Sequence, residues 1–183
     1  DCCGCSERSR GYRFSSKDMG LVNDIDRKVE GPKWLAGLTA MLDPVQISVA
    51  ADTREEFGAD RWHASAIPEV VVHALSRDDV VATLKYANEN NIPVTTRGAG
   101  VGYVGGCVPV KGGILLSVRK MDRIIEVNTA DGVAVVEPGV ILDDLQESVR
   151  KRGWYYPPDP ASLKECSMGG TIATNAGGPR CVK

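Results

Sequence analysis

The stretch 93–106, Pro-Val-Thr-Thr-Arg-Gly-Ala-Gly-Val-Gly-Tyr-Val-Gly-Gly, limits what this chain can fold into more than any other. Five of the nine residues from Gly98 to Gly106 are glycine, and Arg97 stands at the mouth of the loop. Glycine adopts positive φ freely and lets the backbone approach a ligand closely. Successive N–H groups in such a loop can converge on an anion as a nest. Arg97 is placed to add charge-assisted hydrogen bonds to the same anion. The ligand implied is a phosphate or pyrophosphate, and hence a nucleotide.

The residues after the loop set aside two familiar nucleotide-binding units. Residues 100–105 spell G-x-G-x-x-G, but that fingerprint requires the loop to open a helix whose N-terminus meets the pyrophosphate. Pro109, Gly112 and Gly113 interrupt the would-be helix, and the next apolar run, 113–118, reads as a strand. A strand–loop–strand path contradicts a Rossmann unit. A Walker A loop needs G-K-[ST], which the sequence lacks.

At 183 residues the chain is about one domain by the usual ~100–200 residues per domain. A formal net charge of −2 gives no basic field, so nucleic acid is not expected as a partner. No apolar run approaches the ~18 residues of a membrane span. Nothing at the start resembles a signal peptide, so a cytoplasmic protein is expected, with peripheral membrane association through a partner left open. The start at Asp1 and the stop at Lys183, directly after a Gly/Pro-rich motif, suggest a fragment. Cys2, Cys3 and Cys5 crowd the beginning, and Cys107, Cys166 and Cys181 are far apart. The C-x-x-C within residues 2–5 has no second pair at metal-binding spacing, so reduced thiols and no metal site are expected.

Residues 1–32 are polar and weakly periodic, which predicts a mobile tail with a helical pattern near 18–29. A helical lead-in comes next, over 33–66. Trp34, Leu38, Met41 and Leu42 share one helical face, Pro44 ends that helix, and 52–57 form a second short one. The apolar run 70–75 predicts a strand buried on both faces. Ser76 and Asp79 form a capping signal for a helix carrying Val80, Val81, Leu84 and Ala87 and closing in 88–91. Strand 94–96 feeds the glycine loop. Strands 124–127 and 133–137 flank Asp131-Gly132, a hairpin signal, and Pro138-Gly139 breaks the second. Leu142, Leu145 and Val149 set out a helix with Arg150, Lys151 and Arg152 in its last turn and Gly153 at C′. Segment 154–160, Trp-Tyr-Tyr-Pro-Pro-Asp-Pro, cannot be regular structure. Residues 167–178 form a second glycine-rich stretch with a short helix between its glycine pairs.

The run 92–106 resembles the flavin pyrophosphate loop of the FAD-linked oxidases, the PCMH-type or vanillyl-alcohol-oxidase fold. Residues 156–162, Tyr-Pro-Pro-Asp-Pro-Ala-Ser, and 168–179, Met-Gly-Gly-Thr-Ile-Ala-Thr-Asn-Ala-Gly-Gly-Pro, resemble the second FAD loop of one branch, the glycolate oxidase subunit and D-lactate dehydrogenase family. The resemblance covers about 34–183, with three motifs in the family's order. It implies an α+β FAD-binding domain of two α+β subdomains, truncated here, with 67–183 as its first part. The first subdomain would span about 67–121 and the second would begin near 124.

The resemblance further implies that Arg97, Gly98, Ala99, Gly100, Val101 and Gly102, with Gly105 and Gly106, cradle the pyrophosphate. Pro138 and Gly139 match the turn beside the cofactor. Pro158, Asp159, Met168, Gly169, Gly170, Ala173, Asn175 and Gly177 match the segment passing the flavin and ribityl chain. Relatives commonly place a hydroxyl, and other branches a flavin-linked histidine, where this chain has Val101; non-covalent FAD is therefore expected. The family's catalytic histidines and substrate-binding arginine lie in a part that would follow Lys183, so no catalytic residue is assigned here. The activity implied is oxidation of a small D-2-hydroxyacid such as D-lactate or glycolate by hydride transfer to FAD. Electrons would pass on to a partner subunit, a quinone or a cytochrome. A nucleotide-binding module without turnover, and an alcohol or aldonolactone oxidase of the same fold, remain as alternatives.

Several residues have plainer readings. His63 and His73 lie far in sequence from the flavin loops and read as structural. Trp34, Trp62 and Trp154 read as packing anchors, while Tyr103 stands open between packing and stacking on the cofactor. Arg97 has a phosphate-side or structural role, and Asp159 either fixes a turn or contacts the site. Residues 150–152 complement a helix dipole.

Overall fold

The chain divides into two units, Asp1–Glu30 and Gly31–Lys183. In the computed structural model the residues described are 31–62 and 64–179. The expected tail up to residue 30, with its helical pattern and cysteine cluster, lies outside them, as do His63 and Cys181.

The larger unit opens with α1 (Leu35–Thr39), a 3-10 turn (Pro44–Gln46), β1 (Ile47–Ser48) and α2 (Ala51–Gly58). Leu38 and Leu42 enter the core but Met41 is exposed, and α1 itself stops at Thr39. Pro44 opens the 3-10 turn, capped by Asp43, as suits a residue with a fixed φ and no N–H to satisfy.

Next come β2 (Val70–His73), α3 (Arg77–Glu89), β3 (Val94–Arg97) and β4 (Ile114–Ser117). The four-stranded sheet has the order β1-β2-β4-β3. β4 runs parallel to both β2 and β3, and β1 pairs antiparallel at the edge. Successive residues Val70–Val72 and Ile114–Leu116 are buried, as in parallel strands covered on both faces. α3 begins with the reciprocal Ser76–Asp79 capping box. Its buried face differs from the expected one, since Thr83 and Ala87 are buried while Val81 and Leu84 are exposed. Thr83 can sit inside because its hydroxyl donates to the Asp79 carbonyl at 2.8 Å, which satisfies the polar group locally.

The second half contains β5 (Ile124–Asn128), β6 (Val133–Val136), α4 (Leu142–Arg150) and α5 (Met168–Ala173). β5 and β6 form an antiparallel hairpin. α4 ends at Arg150 with Lys151 as its cap, so Gly153 lies two residues past the cap, where it donates to the Arg150 carbonyl at 3.0 Å and finishes the turn. α5 takes Gly169 and Gly170 into its first turn, where a helix between the glycine pairs was expected.

Among the described residues the fold is α+β, with two sheets and two hydrophobic cores. One gathers Leu38, Val70, Val72, Ile114 and Leu116 with α3. The other gathers Val140, Leu142, Leu145, Val149 and Met168 under the β5–β6 hairpin. No helix among the described residues is long and apolar enough to cross a membrane.

Candidate functional site

The glycine loop leaves the sheet at the C-terminal ends of its parallel strands. Arg97 on β3 lies opposite Ser117 on β4, which lies opposite His73 on β2. In open sheets with parallel strands, ligands bind at that edge. The half-buried Arg97 side chain is already engaged beneath the loop. It donates to the Ala59 carbonyl at 2.5 Å and to Cys107 Sγ at 3.4 Å. Its guanidinium lies 5.6 Å from the centre of the Phe57 ring, and Phe57 meets the His73 ring edge-on at 5.0 Å. Gly100, at φ 75°, rests directly against the guanidinium, so that a Cβ there would collide with it. Burial first, then the Lys120 and Arg119 charges, push the His73 imidazole down to about 4. It is therefore neutral near pH 7 and packs as an aromatic ring behind the loop.

The two glycine-rich stretches meet. A Cβ on Gly98 would collide with Ser167 Oγ, and the Ala99 N–H donates to that hydroxyl at 3.3 Å. Ser167 is 2% exposed and pairs with Ile141 in an isolated bridge. The next two amides, Met168 and Gly169, donate to the carbonyls of Val140 and Pro138, each at 2.8 Å. Residues 98–99, 138–140 and 167–170 thus form one cluster. Gly139 seats it against the first half of the fold, because a Cβ there would lie 2.6–2.7 Å from the carbonyl oxygens of Val118, Arg119 and Met121. Glu137, just ahead of the turn, accepts from the Arg123 amide at 2.9 Å and its guanidinium at 2.7 Å. The guanidinium hydrogen bond holds the Glu137 carboxyl below the usual carboxylate range.

A second cluster joins Pro158 and Asp159 to Gly177. The buried Gln146 amide donates to the carbonyls of Tyr156 at 3.1 Å and Pro158 at 2.7 Å. The Asp159 N–H donates to the Gly177 carbonyl at 2.9 Å. Ala173 and Asn175 are exposed at the end of α5, and Asn175 takes a φ of 50°. α5 connects the clusters, with Met168–Gly170 at its start and Gly177 shortly beyond its end.

Part of the loop is bare. A Cβ on Gly102, Gly105 or Gly106 would meet nothing within 4 Å. Among the described residues, the amides of Gly100, Val101 and Gly102 donate to none. The Gly105 N–H, in contrast, donates to Asp60 Oδ2 at 3.0 Å. Val101 packs on the second core. This pattern fits an anionic cofactor at 100–102: free donors, open space at Gly102 and a cation held behind the loop.

Ser167, Asp60 and Gln146 escaped the sequence reading. Ser167 had a usable signal, a cap-forming residue directly before a helix. Gln146 sits between the apolar positions Leu142, Leu145 and Val149 of α4, where only the fold shows that two carbonyls await its amide. Asp60 lies in a polar turn whose partner is 45 residues away.

A cradle at a parallel-strand edge, with two glycine stretches meeting across it, defines a cofactor-binding flavoprotein domain of PCMH-type fold. The chain belongs to the FAD binding domain family, whose model matches residues 68–183. It is 42% identical over 142 residues to a D-lactate dehydrogenase of Anaerostipes hadrus, covering 76% of this chain and 30% of that protein. It is 36% identical over 118 residues to the glycolate oxidase subunit GlcD of Bacillus subtilis, covering 64% of this chain and 25% of that protein. Among solved structures, p-cresol methylhydroxylase superposes with a TM-score of 0.65 at 22% identity, covering 86% of this chain and 30% of that one. The chain therefore spans less than a third of either curated relative.

Proposed function

We propose that this chain is the FAD-seating part of a flavin-dependent oxidoreductase that oxidises a small D-2-hydroxyacid of the D-lactate or glycolate type. The observation that carries the reading is the junction of Gly98 and Ala99 with Ser167 and Gly170. It brings both glycine stretches to one cluster beside the amides of 100–102, which donate to none of the described residues. The similarity to a D-lactate dehydrogenase and to a glycolate oxidase subunit supports the substrate class.

In this reading the amides of Gly100, Val101 and Gly102 receive the pyrophosphate, and Arg97 adds positive charge from beneath them. Gly105 and Gly106 leave bare backbone along the rim, with the Gly105 amide committed to Asp60. Pro138, Gly139, Met168, Gly169 and Gly170 line the flavin side. Pro158, Asp159, Ala173, Asn175 and Gly177 line the path beyond it. Bound FAD supplies a two-electron acceptor for the substrate's hydride. Val101 offers no nucleophilic atom, so the cofactor is held without a covalent bond. His73, neutral and packed behind the loop, is not the base that takes the hydroxyl proton; we assign that base to a part of the enzyme other than residues 31–179. The division we propose is a lead-in over 33–66 and an FAD-binding region over 67–183. The electron acceptor is a partner subunit, a quinone or a cytochrome.

The test is an anaerobic visible spectrum of the full-length gene product. Bleaching of its flavin bands by D-lactate or glycolate without a nicotinamide is expected. Flavin bands that persist with both acids and bleach only with an alcohol or aldonolactone would move the substrate class.

A further inference from the structure

We propose that Asp60 is a positioning residue for the FAD loop, the centre of a clasp made by residues 59–62, which precede the family-matched region that begins at 68. The inference rests on the flavin reading and extends it to a segment to which that reading gives no part in seating the cofactor.

Each of these four residues grips the glycine loop or the strand that feeds it. The Ala59 carbonyl accepts from the Arg97 guanidinium at 2.5 Å. Asp60 Oδ2 accepts the Gly105 N–H at 3.0 Å. The Arg61 N–H donates to the Gly102 carbonyl at 3.4 Å, and its guanidinium pairs with Glu165, two residues before Ser167. The Trp62 ring meets Tyr103 edge-on at 5.7 Å. The clasp thus holds the loop on both sides of Tyr103 and reaches toward the second glycine-rich stretch.

The carboxylate is the part that no other side chain replaces. Oδ1 accepts the Trp62 N–H at 2.8 Å and the Ala64 N–H at 3.0 Å, which closes the clasp on itself. Oδ2 is left for Gly105. An amide in this place has one acceptor oxygen and one donor nitrogen. Asparagine must therefore face an N–H donor with its own NH2, on the clasp side or the loop side. The arrangement also divides the loop's donors. Gly105 is drawn away toward a fixed carboxylate, and the amides of 100–102 stay free for the anion.

The experiment compares the holoprotein with Asp60→Ala, Asp60→Asn and Trp62→Ala. Three quantities are read: FAD affinity by flavin fluorescence, thermal midpoint, and hydrogen exchange of the 98–106 amides. FAD binding is expected to weaken by about tenfold in Asp60→Ala, the scale for losing a charge-assisted hydrogen bond, and by less in Asp60→Asn. Exchange at Gly105 should quicken in both. Trp62→Ala, which leaves the carboxylate intact, should weaken FAD less than Asp60→Ala and keep Gly105 protected. FAD affinity and Gly105 protection unchanged in both Asp60 variants would overturn the proposal. So would losses of affinity that merely track the thermal midpoint across all three variants. A wild-type protein that binds no FAD would instead sink the flavin reading, and Gly105 exchange would still decide whether the clasp holds the loop.

Discussion

A methyl group added at Gly139 would meet the carbonyl oxygens of Val118, Arg119 and Met121 at 2.6–2.7 Å, while one added at Gly102 would meet nothing within 4 Å. Backbone cannot give way as a flexible side chain can. Gly139→Ala is therefore expected to cost about 3 kcal/mol, the upper end for overpacking, read as a lower denaturation midpoint. Gly102→Ala should leave the midpoint within about 0.5 kcal/mol of wild type, as for an open surface site. If Gly102 lines the pyrophosphate seat, the added methyl should still weaken FAD binding. Unchanged FAD affinity would remove Gly102 from the site. His73 gives a pH test. Its pKa is about 4 in the folded chain against a reference of 6.5, so between these values the unfolded chain binds a proton that the folded chain excludes. Stability from this group is complete above about pH 6.5 and falls as pH drops toward 4. The loss is at most about 3.5 kcal/mol at 1.36 kcal/mol per unit. Urea midpoints of His73→Leu should fall less steeply across that window. Equal slopes would contradict the buried, neutral imidazole.

Among the elements, α3 shows how far local sequence logic carries and where it stops. Its start was legible, because Ser76 and Asp79 satisfy each other's backbone amides within one turn. The Asp79 carboxylate does more than the sequence indicated. It also accepts from Gln46 at 2.8 Å and from the Leu75 amide at 2.9 Å. Burial pulls its pKa up, but these bonds together bring it below the ordinary carboxylate value. Asp79→Ala should cost about 1–3 kcal/mol, with the thermal midpoint as readout, and Asp79→Asn should recover only part of it. The buried face of α3 was not legible, because Thr83 reads as polar until its hydroxyl is seen bonded to the Asp79 carbonyl. α5 was misplaced for a related reason. Gly169 and Gly170 read as a turn, yet Gly169 must be small where Pro138 packs 2.7 Å from its Cβ position, so the helix tolerates glycines that a contact demands.

In the molecule as a whole, the two glycine-rich stretches were readable because bare backbone at two places is a strong chemical statement. The strand after the loop removed the Rossmann alternative for a reason the element order bears out, since β4 follows β3 with no helix in the described residues between them. The side chains that hold the site's segments in place were not readable. Ser167, Gln146 and Asp60 act across 68, 12 and 45 residues of sequence, and no periodicity announces such bonds. Arg97 shows the same limit: its charge was visible, but not that Ala59, Cys107 and Phe57 hold it beneath the loop. Whether both stretches seat one FAD without a covalent bond is read from the purified full-length protein's flavin content before and after acid precipitation. A yellow protein with one FAD per chain, all of it released to the supernatant, is expected. A colourless protein that takes up no added FAD, or flavin that precipitates with the polypeptide, would contradict that seating.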